Sequence, residues 1–479
     1  QVIITLIESS AVPKVGVGEA TVPTIRQTIS ELGFEEETFM RKCNATFKGA
    51  IKFRNWLDAP STRGDHAYWH VFERDFAQPS VSLACWIHDR AKGLTEPFAE
   101  HAGFASWVCR GLRAPKTAET APYHGVVGYA YHLDAELLAQ ELKALACGRG
   151  VVHVVDDVVG VKRDHRGFIT ALERAQGADL EGELFIDCSG FRGLLINQEL
   201  QEPFESFERS LLCDRAIAAQ VPYRGAERKT LNPYTTATAV ESGWIWDIPL
   251  GDRRGVGYVY ASAFQEPDAA ERLFREAIGD PNGEFQVKHI PMRTGRHRKL
   301  WVNNCVSLGL AQGFIEPLES TGLALIEQSL RMLCEYLPDT SFSPVLRDRF
   351  NRAVRTYYQE TLDFIVMHYV LSRREDTPFW KACRQAEIPE SLQERLALWS
   401  LKYPDNKDIY ESNRIFDSYN YTAVLAGMEF WDDKLVQFMN FAPLREFQEA
   451  RVSYHQQSAS IMEKLPTHRT YIDHIHHTR

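Results

Sequence analysis

The stretch Gln312-Gly313-Phe314-Ile315-Glu316-Pro317-Leu318-Glu319-Ser320-Thr321-Gly322 decides how the rest of the chain is read. Gly313 and Pro317 bend and stiffen a loop, because Gly tolerates unusual backbone angles and Pro fixes φ. Ser320 and Thr321 are N-cap residue types. Leu323, Ile326, Leu330, Leu333, Cys334 and Leu337 follow at helical spacing, and Pro338 ends the pattern. The spacing predicts a loop that delivers the carboxylate of Glu319 beside the open end of a helix. Such an end carries unpaired N–H groups and partial positive charge, which suits a small anion. A Glu that merely caps its helix is the plainer reading, and only context separates the two.

Working outward, residues 1–9 are a near-continuous apolar run, which predicts a buried parallel strand ending in Glu8. An acid in that place on a second Rossmann strand accepts hydrogen bonds from a ribose hydroxyl. The matching Gly-x-Gly-x-x-Gly loop belongs about 20 residues earlier, so the reading expects a truncated nucleotide fold. In residues 16–23 (GVGEATVP), Gly16 and Gly18 allow close backbone approach, and Thr21 can cap the helix after Pro23. Residues 47–56 (FKGAIKFRNW) alternate as one strand, with Phe47, Gly49, Ile51 and Phe53 on one face and Lys48, Ala50, Lys52 and Arg54 on the other. Most lysines are solvated, but Lys48 sits opposite a Gly-Ala gap. Residues 65–72 crowd aromatics and imidazoles, as a pocket wall or a plain buried strand would. No cysteine or acid cluster joins them, so no metal site is expected.

Further on, the pattern predicts a helix over 134–147 capped by Asp134. Strands follow over 151–161, 168–174, 184–190, 243–249, 255–262 and 301–309. Beyond Pro338 the chain turns helical, over 344–373, 378–401 and 433–464. An aromatic loop lies at 410–421, and the His-rich end (His468, His474, His476, His477) reads as a mobile tail. The fold class expected from these elements is α/β: a Rossmann-type module with mixed sheets over 1–340, and a mainly helical part over 341–479.

Composition narrows the function. The 479 residues are 44% apolar and 25% charged, as in a globular protein, and the net charge of −10 argues against nucleic acid. No apolar run approaches the ~20 residues of a membrane span, and no signal peptide is read at the start. The nine cysteines are scattered and odd in number, which fits reduced thiols in a cytoplasmic protein.

The sequence resembles the flavin-dependent tryptophan halogenase family over nearly its whole length. The resemblance is densest at 16–23 (GVGEATVP), 47–56 (FKGAIKFRNW), 187–193 (DCSGFRG), 244–249 (WIWDIP) and 314–322 (FIEPLESTG). It implies an FAD-binding module like that of flavoprotein monooxygenases over 1–340 and a substrate-covering part over 341–479, and that reduced FAD, supplied by a separate NAD(P)H-dependent flavin reductase, and O2 convert chloride or bromide to hypohalous acid. A tunnel then carries this acid to Lys48, which presents the electrophilic halogen as a hydrogen-bonded hypohalous acid or a haloamine. Glu319 assists and accepts the ring proton. Lys52 is the fallback for the lysine. By the same resemblance Thr321 and Gly322 hold the halide, and Glu8, Gly16, Gly18, Ala20, Leu310 and Leu323 lie beside the flavin. Trp244, Trp246, Ile248 and Pro249 form the motif that keeps substrate from the flavin. His70, Phe72, Tyr410, Glu411 and Phe416 face the substrate. Ile415 stands where tryptophan-binding members carry Phe, and the segment reads as shorter. Indole, another electron-rich arene or a carrier-bound arene is therefore open as substrate. A flavin-dependent hydroxylase and a non-catalytic flavin-binding protein are the alternatives, and a homodimer is left open.

Overall fold

The computed structural model describes residues 2–11, 16–72, 79–94, 96–409, 414–431 and 444–477. It is a mixed α/β architecture built around a seven-stranded sheet. The strand order is Val287–Pro291, Arg215–Pro222, Arg253–Tyr260, Gly243–Pro249, Tyr234–Val240, Ala50–Arg54 and Ala67–Val71. Every neighbouring pair is antiparallel except Tyr234–Val240 with Ala50–Arg54. Within it Trp246 pairs with Gly257, where a Cβ would stand 2.0 Å from the indole, so the glycine makes room for the ring. A smaller sheet orders Glu19–Ala20, Ala130–Leu133 and Thr46–Lys48.

The sheet's main partner is the helix Pro344–Val370. Ser343 caps it, its hydroxyl accepting from the Val345 amide, and Pro344 occupies its first turn. Nearly every residue from Tyr357 to Tyr369 is buried, so this helix runs through the interior rather than along a surface. Its apolar side chains share one core with Ile51, Phe53, Trp56, Tyr68, Trp244 and Tyr421. Burying polar Glu360 and Asp363 in it requires a partner, and Arg395 is an ion-pair partner of both.

Several sequence expectations change. The 47–56 segment is not one strand. It breaks at Gly49 into Thr46–Lys48 and Ala50–Arg54, which belong to different sheets. A Cβ at Gly49 would stand 2.9 Å from Cys109 Sγ, and its amide instead donates to the Pro233 carbonyl. Residues 151–161 split into Val152–Val155 and Val158–Arg163, and 301–309 into the hairpin Trp301–Val302 and Cys305–Ser307. The 378–401 segment gives two helices, Pro378–Cys383 and Glu390–Trp399. Thr5–Glu8 does pair in parallel with Val152–Val155, but it is not buried, and Val2 and Ile3 stand almost fully exposed. Thr21 does not cap the helix Thr24–Glu31; its hydroxyl donates to the Tyr131 carbonyl. The His-rich end is a docked helix, His468–His477, with Tyr471, Ile472 and Ile475 buried. Among the described residues no helix is long and apolar enough to cross a membrane.

The break at Gly49 is testable. Gly49→Ala forces a methyl group into a packed contact, which costs about 1–3 kcal/mol. Urea unfolding is expected to show that loss, with partial recovery when Cys109→Ala removes the opposing sulfur.

Candidate active site

The break at Gly49 gives the two lysines of its segment separate fates. Lys52 lies on the sheet face opposite Phe53 and rests over the Trp69 ring at 5.0 Å, half-buried. It thus lies on a different sheet from Lys48. Lys48, in the smaller sheet, is fully buried. Its Nζ donates to the Thr21 carbonyl (2.9 Å) and to Ser320 Oγ (2.8 Å), and lies 4.8 Å from the centre of the Phe72 ring. Burial disfavours the ammonium form and pushes its pKa down from 10.5 to about 7; the charge of Glu319 opposes this only in part.

The loop quoted at the outset brings the carboxylate. Pro317–Glu319 forms a 3₁₀ turn, and Ser320 follows in the left-handed region (φ 60°, ψ 36°). For a residue with a side chain that conformation costs on the order of 1 kcal/mol. The Ser320 hydroxyl meets Lys48 while the Glu319 carboxylate meets His70 and His368. Glu319 is fully buried between two imidazoles: Oε2 lies 2.7 Å from His70 Nδ1, and Oε1 lies 2.9 Å from His368 Nε2, out of line for a good hydrogen bond. Burial alone would raise its pKa. The charge and hydrogen bonds of the two histidines outweigh that and hold the carboxyl well below the usual carboxylate range. His368 Nδ1 in turn meets the Tyr68 hydroxyl at 2.8 Å, and burial pushes His368 towards its neutral form. The Asn420 amide nitrogen lies 2.9 Å from His70 Nε2.

An aromatic wall stands beside this pair. Phe416 stacks on Phe364 at 3.8 Å, His70 lies 6.2 Å from Phe416, and Phe72 meets His70 edge-on at 6.1 Å. Of the residues expected to face substrate, His70, Phe72 and Phe416 are thus together, while Tyr410 and Glu411 lie outside the described residues. Phe364, His368 and Asn420 escaped the sequence reading. The first two share a helix face at i, i+4, a signal hidden in a 27-residue helix far along the chain.

Thr321 is the N-cap of the helix Gly322–Glu335, yet its side chain caps nothing, and its buried Oγ1 has no partner among the described residues. Gly322 is exposed, with open space where a Cβ would stand. An orphaned hydroxyl beside the free N–H groups of a 14-residue helix suits a halide.

The two motifs upstream close the far side. Ala20 packs with Ile248 and Leu250, and a Cβ on Gly18 (φ +148°) would touch Gly255 and Leu250 at 3.4–3.5 Å, so the 16–23 segment docks on the strand of the tryptophan motif. Pro249 offers its carbonyl to Thr46 Oγ1 at 2.6 Å, two residues before Lys48. Trp244 is buried, and its indole N–H donates to Glu316 Oε2 at 3.0 Å; the Trp246 indole N–H is buried without a partner among the described residues. Glu316 also accepts from the Tyr369 hydroxyl (2.8 Å), and burial raises it to about 7.

The tryptophan halogenase family model matches residues 1–443. The chain belongs to the tryptophan halogenase family. Tryptophan 6-halogenase SttH of Streptomyces toxytricini is 38% identical over 448 residues, 89% of this chain and 84% of that protein. Tryptophan 7-halogenase RebH of Lentzea aerocolonigenes is 38% identical over 450 residues, with the same shares. The crystal structure of a tryptophan halogenase from Shewanella frigidimarina superposes with a TM-score of 0.91 at 34% identity, covering 99% of this chain and 90% of that one. BrvH, a flavin-dependent halogenase from Brevundimonas sp. BAL3, gives 0.87 at 32%, covering 99% and 93%. These likenesses make the chain a flavin-dependent halogenase and set the hydroxylase reading aside.

A flavin ring suits the face where Gly322 leaves open space and Leu310 is exposed, at the start of the helix Gly322–Glu335; a Cβ on Gly309 (φ +62°) would meet Ile326 at 3.6 Å. Leu323, half-buried, packs inward from the same turn. Glu8 is already engaged: its Oε1 accepts from His153 Nε2 at 2.9 Å and Lys143 Nζ at 3.2 Å, so a ribose would have to share or displace those contacts.

The buried lysine predicts a stability signature. Between pH 7 and pH 10.5 the unfolded chain holds a proton on Lys48 that the folded chain lacks, so stability rises with pH across that window. Every tenfold loss of proton affinity on folding corresponds to about 1.4 kcal/mol. Urea unfolding at pH 6 and pH 9 is expected to show a smaller rise in Lys48→Met than in the parent, with Lys48→Met the more stable protein at pH 6.

Proposed function

We propose that this halogenase places chlorine or bromine on an indole or similar electron-rich arene held against His70, Phe72, Phe364 and Phe416. The observation that carries the reading is the shared burial of Lys48 and Glu319, linked through Ser320. A separate flavin reductase supplies the reduced FAD, which with O2 furnishes the oxidising power when bound. Everything else falls to side chains of this chain. The Thr321 hydroxyl and the N–H groups at Thr321 and Gly322 hold the halide. The Trp244 and Trp246 strand separates that site from the arene. The mainly helical part beyond residue 340 covers the substrate, contributing Phe364, His368 and Asn420.

At Lys48 a neutral amine has two N–H bonds, and Thr21 and Ser320 take both. Its lone pair is then the one free direction, and it takes the electrophilic halogen of hypohalous acid as the oxygen–halogen bond breaks and hydroxide leaves. The ring carbon attacks that halogen; the carbon–halogen bond forms as the nitrogen–halogen bond breaks and returns its electron pair to the amine, and the ring becomes a cation carrying an acidic C–H. Glu319 receives this proton. A carboxylate held at low pKa is a weak base, but a ring cation is a strong acid, so the transfer is downhill. Its negative charge also stabilises the cation before transfer, in a site from which water is excluded. Ordering both groups in one dry chamber is what confines a reactive halogen to one ring position.

Two tests follow. Lys48→Ala is expected to lower halogenated product by about 100-fold or more while flavin oxidation continues. Undiminished product would remove Lys48 from the mechanism. Halogenation rate is expected to rise with pH through about 7 as the amine loses its proton. Glu319→Gln keeps the shape and lowers kcat by about 100-fold, with flavin oxidation again intact. Liquid chromatography with mass detection of an indole and phenol panel, with chloride and with bromide, reads all of these.

A further inference from the structure

Beyond the chamber, the helix His468–His477 lies past the last residue matched by the family model. It packs against the strand that carries Lys48. In the Thr46–Lys48 strand, Thr46 and Lys48 pair with His132 and Ala130. Phe47, opposite Tyr131, turns its amide to the strand's other edge, away from that ladder. No strand receives it there. It donates to His468 Nε2 at 3.1 Å, and His468 Nδ1 lies 3.2 Å from the Leu231 carbonyl.

The partners fix the chemistry of this imidazole. A backbone N–H can only donate and a carbonyl can only accept, so His468 is neutral, with its proton on Nδ1. Full burial agrees, pushing its pKa down to about 3. The helix is anchored around the contact. The His468 amide donates to the Leu112 carbonyl, the Tyr471 ring lies 5.3 Å from Phe47, and Arg469 donates to the Gly251 carbonyl, two residues past Pro249. One helix thus fixes the lysine strand and the end of the tryptophan-motif strand together.

We infer that His468 is a positioning residue for Lys48, acting through the Phe47 amide to hold the lysine amine on Thr21 and Ser320. A Lys48 strand released from this acceptor keeps its fold but lets the amine wander, and oxidised halide is then lost before it meets the arene. This rests on the role proposed above for Lys48. The two fail separately: product surviving in Lys48→Ala overturns that role, whereas loss in Lys48→Ala without an effect at position 468 overturns only this inference.

The test compares two substitutions in the full chain with reductase, FAD, bromide and indole. Gln at 468 can place an oxygen where Nε2 stands and still accept from Phe47. Asn reaches only the Leu231 side. His468→Gln is expected to keep halogenated product per flavin oxidised within about twofold of the parent, and His468→Asn to lose about tenfold with KM for indole unchanged. Thermal melting separates this from lost stability. Equal coupling in His468→Asn and the parent overturns the inference. So does a folded His468→Gln that loses coupling, an arm that decides the matter even when the Asn variant does not fold.

Discussion

An ammonium-type side chain and a carboxylate are buried on either side of Ser320, and each is satisfied by groups other than its partner. Lys48 donates to Thr21 and Ser320; Glu319 sits between His70 and His368. Had the two formed a direct ion pair, each would hold the other in its charged form, and the lysine would be a locked cation. Separating them through Ser320 leaves a base that loses its proton through about pH 7 and an acid that stays ionised. The surrounding structure serves that separation: the Gly49 break, the left-handed Ser320 and the buried helix that carries His368.

Much of this was legible in the chain. Gly313, Pro317, Ser320 and Thr321 announce the loop and the helix start, and Gly322–Glu335 forms where the leucine spacing places it. The strand Gly243–Pro249 and its partner Arg253–Tyr260 likewise follow from their patterns. Other features were hidden for physical reasons. An alternating segment looks continuous whether or not a glycine bends it between two sheets, so the separation of Lys48 from Lys52 at Gly49 is a tertiary decision. The exposed face of Thr5–Glu8 was misjudged because an apolar run says what a strand could bury, not what covers it.

The end of the chain teaches the opposite lesson. Four histidines among ten residues looked like a solvated tail, yet His468, Tyr471, Ile472 and Ile475 fall at i, i+3, i+4 and i+7. That stripe was present to be read, and composition obscured it. His368 and Asn420 had no such signal, since their importance comes from meeting Tyr68, Glu319 and His70 across the fold.

The account stands on the charge state of one amine. Nitrogen-15 NMR of lysine-labelled protein, with Lys48→Met to assign the signal, follows that amine through a pH titration. A midpoint near 7 is the predicted result. A midpoint above about 10, the value of a lysine in water, would contradict it.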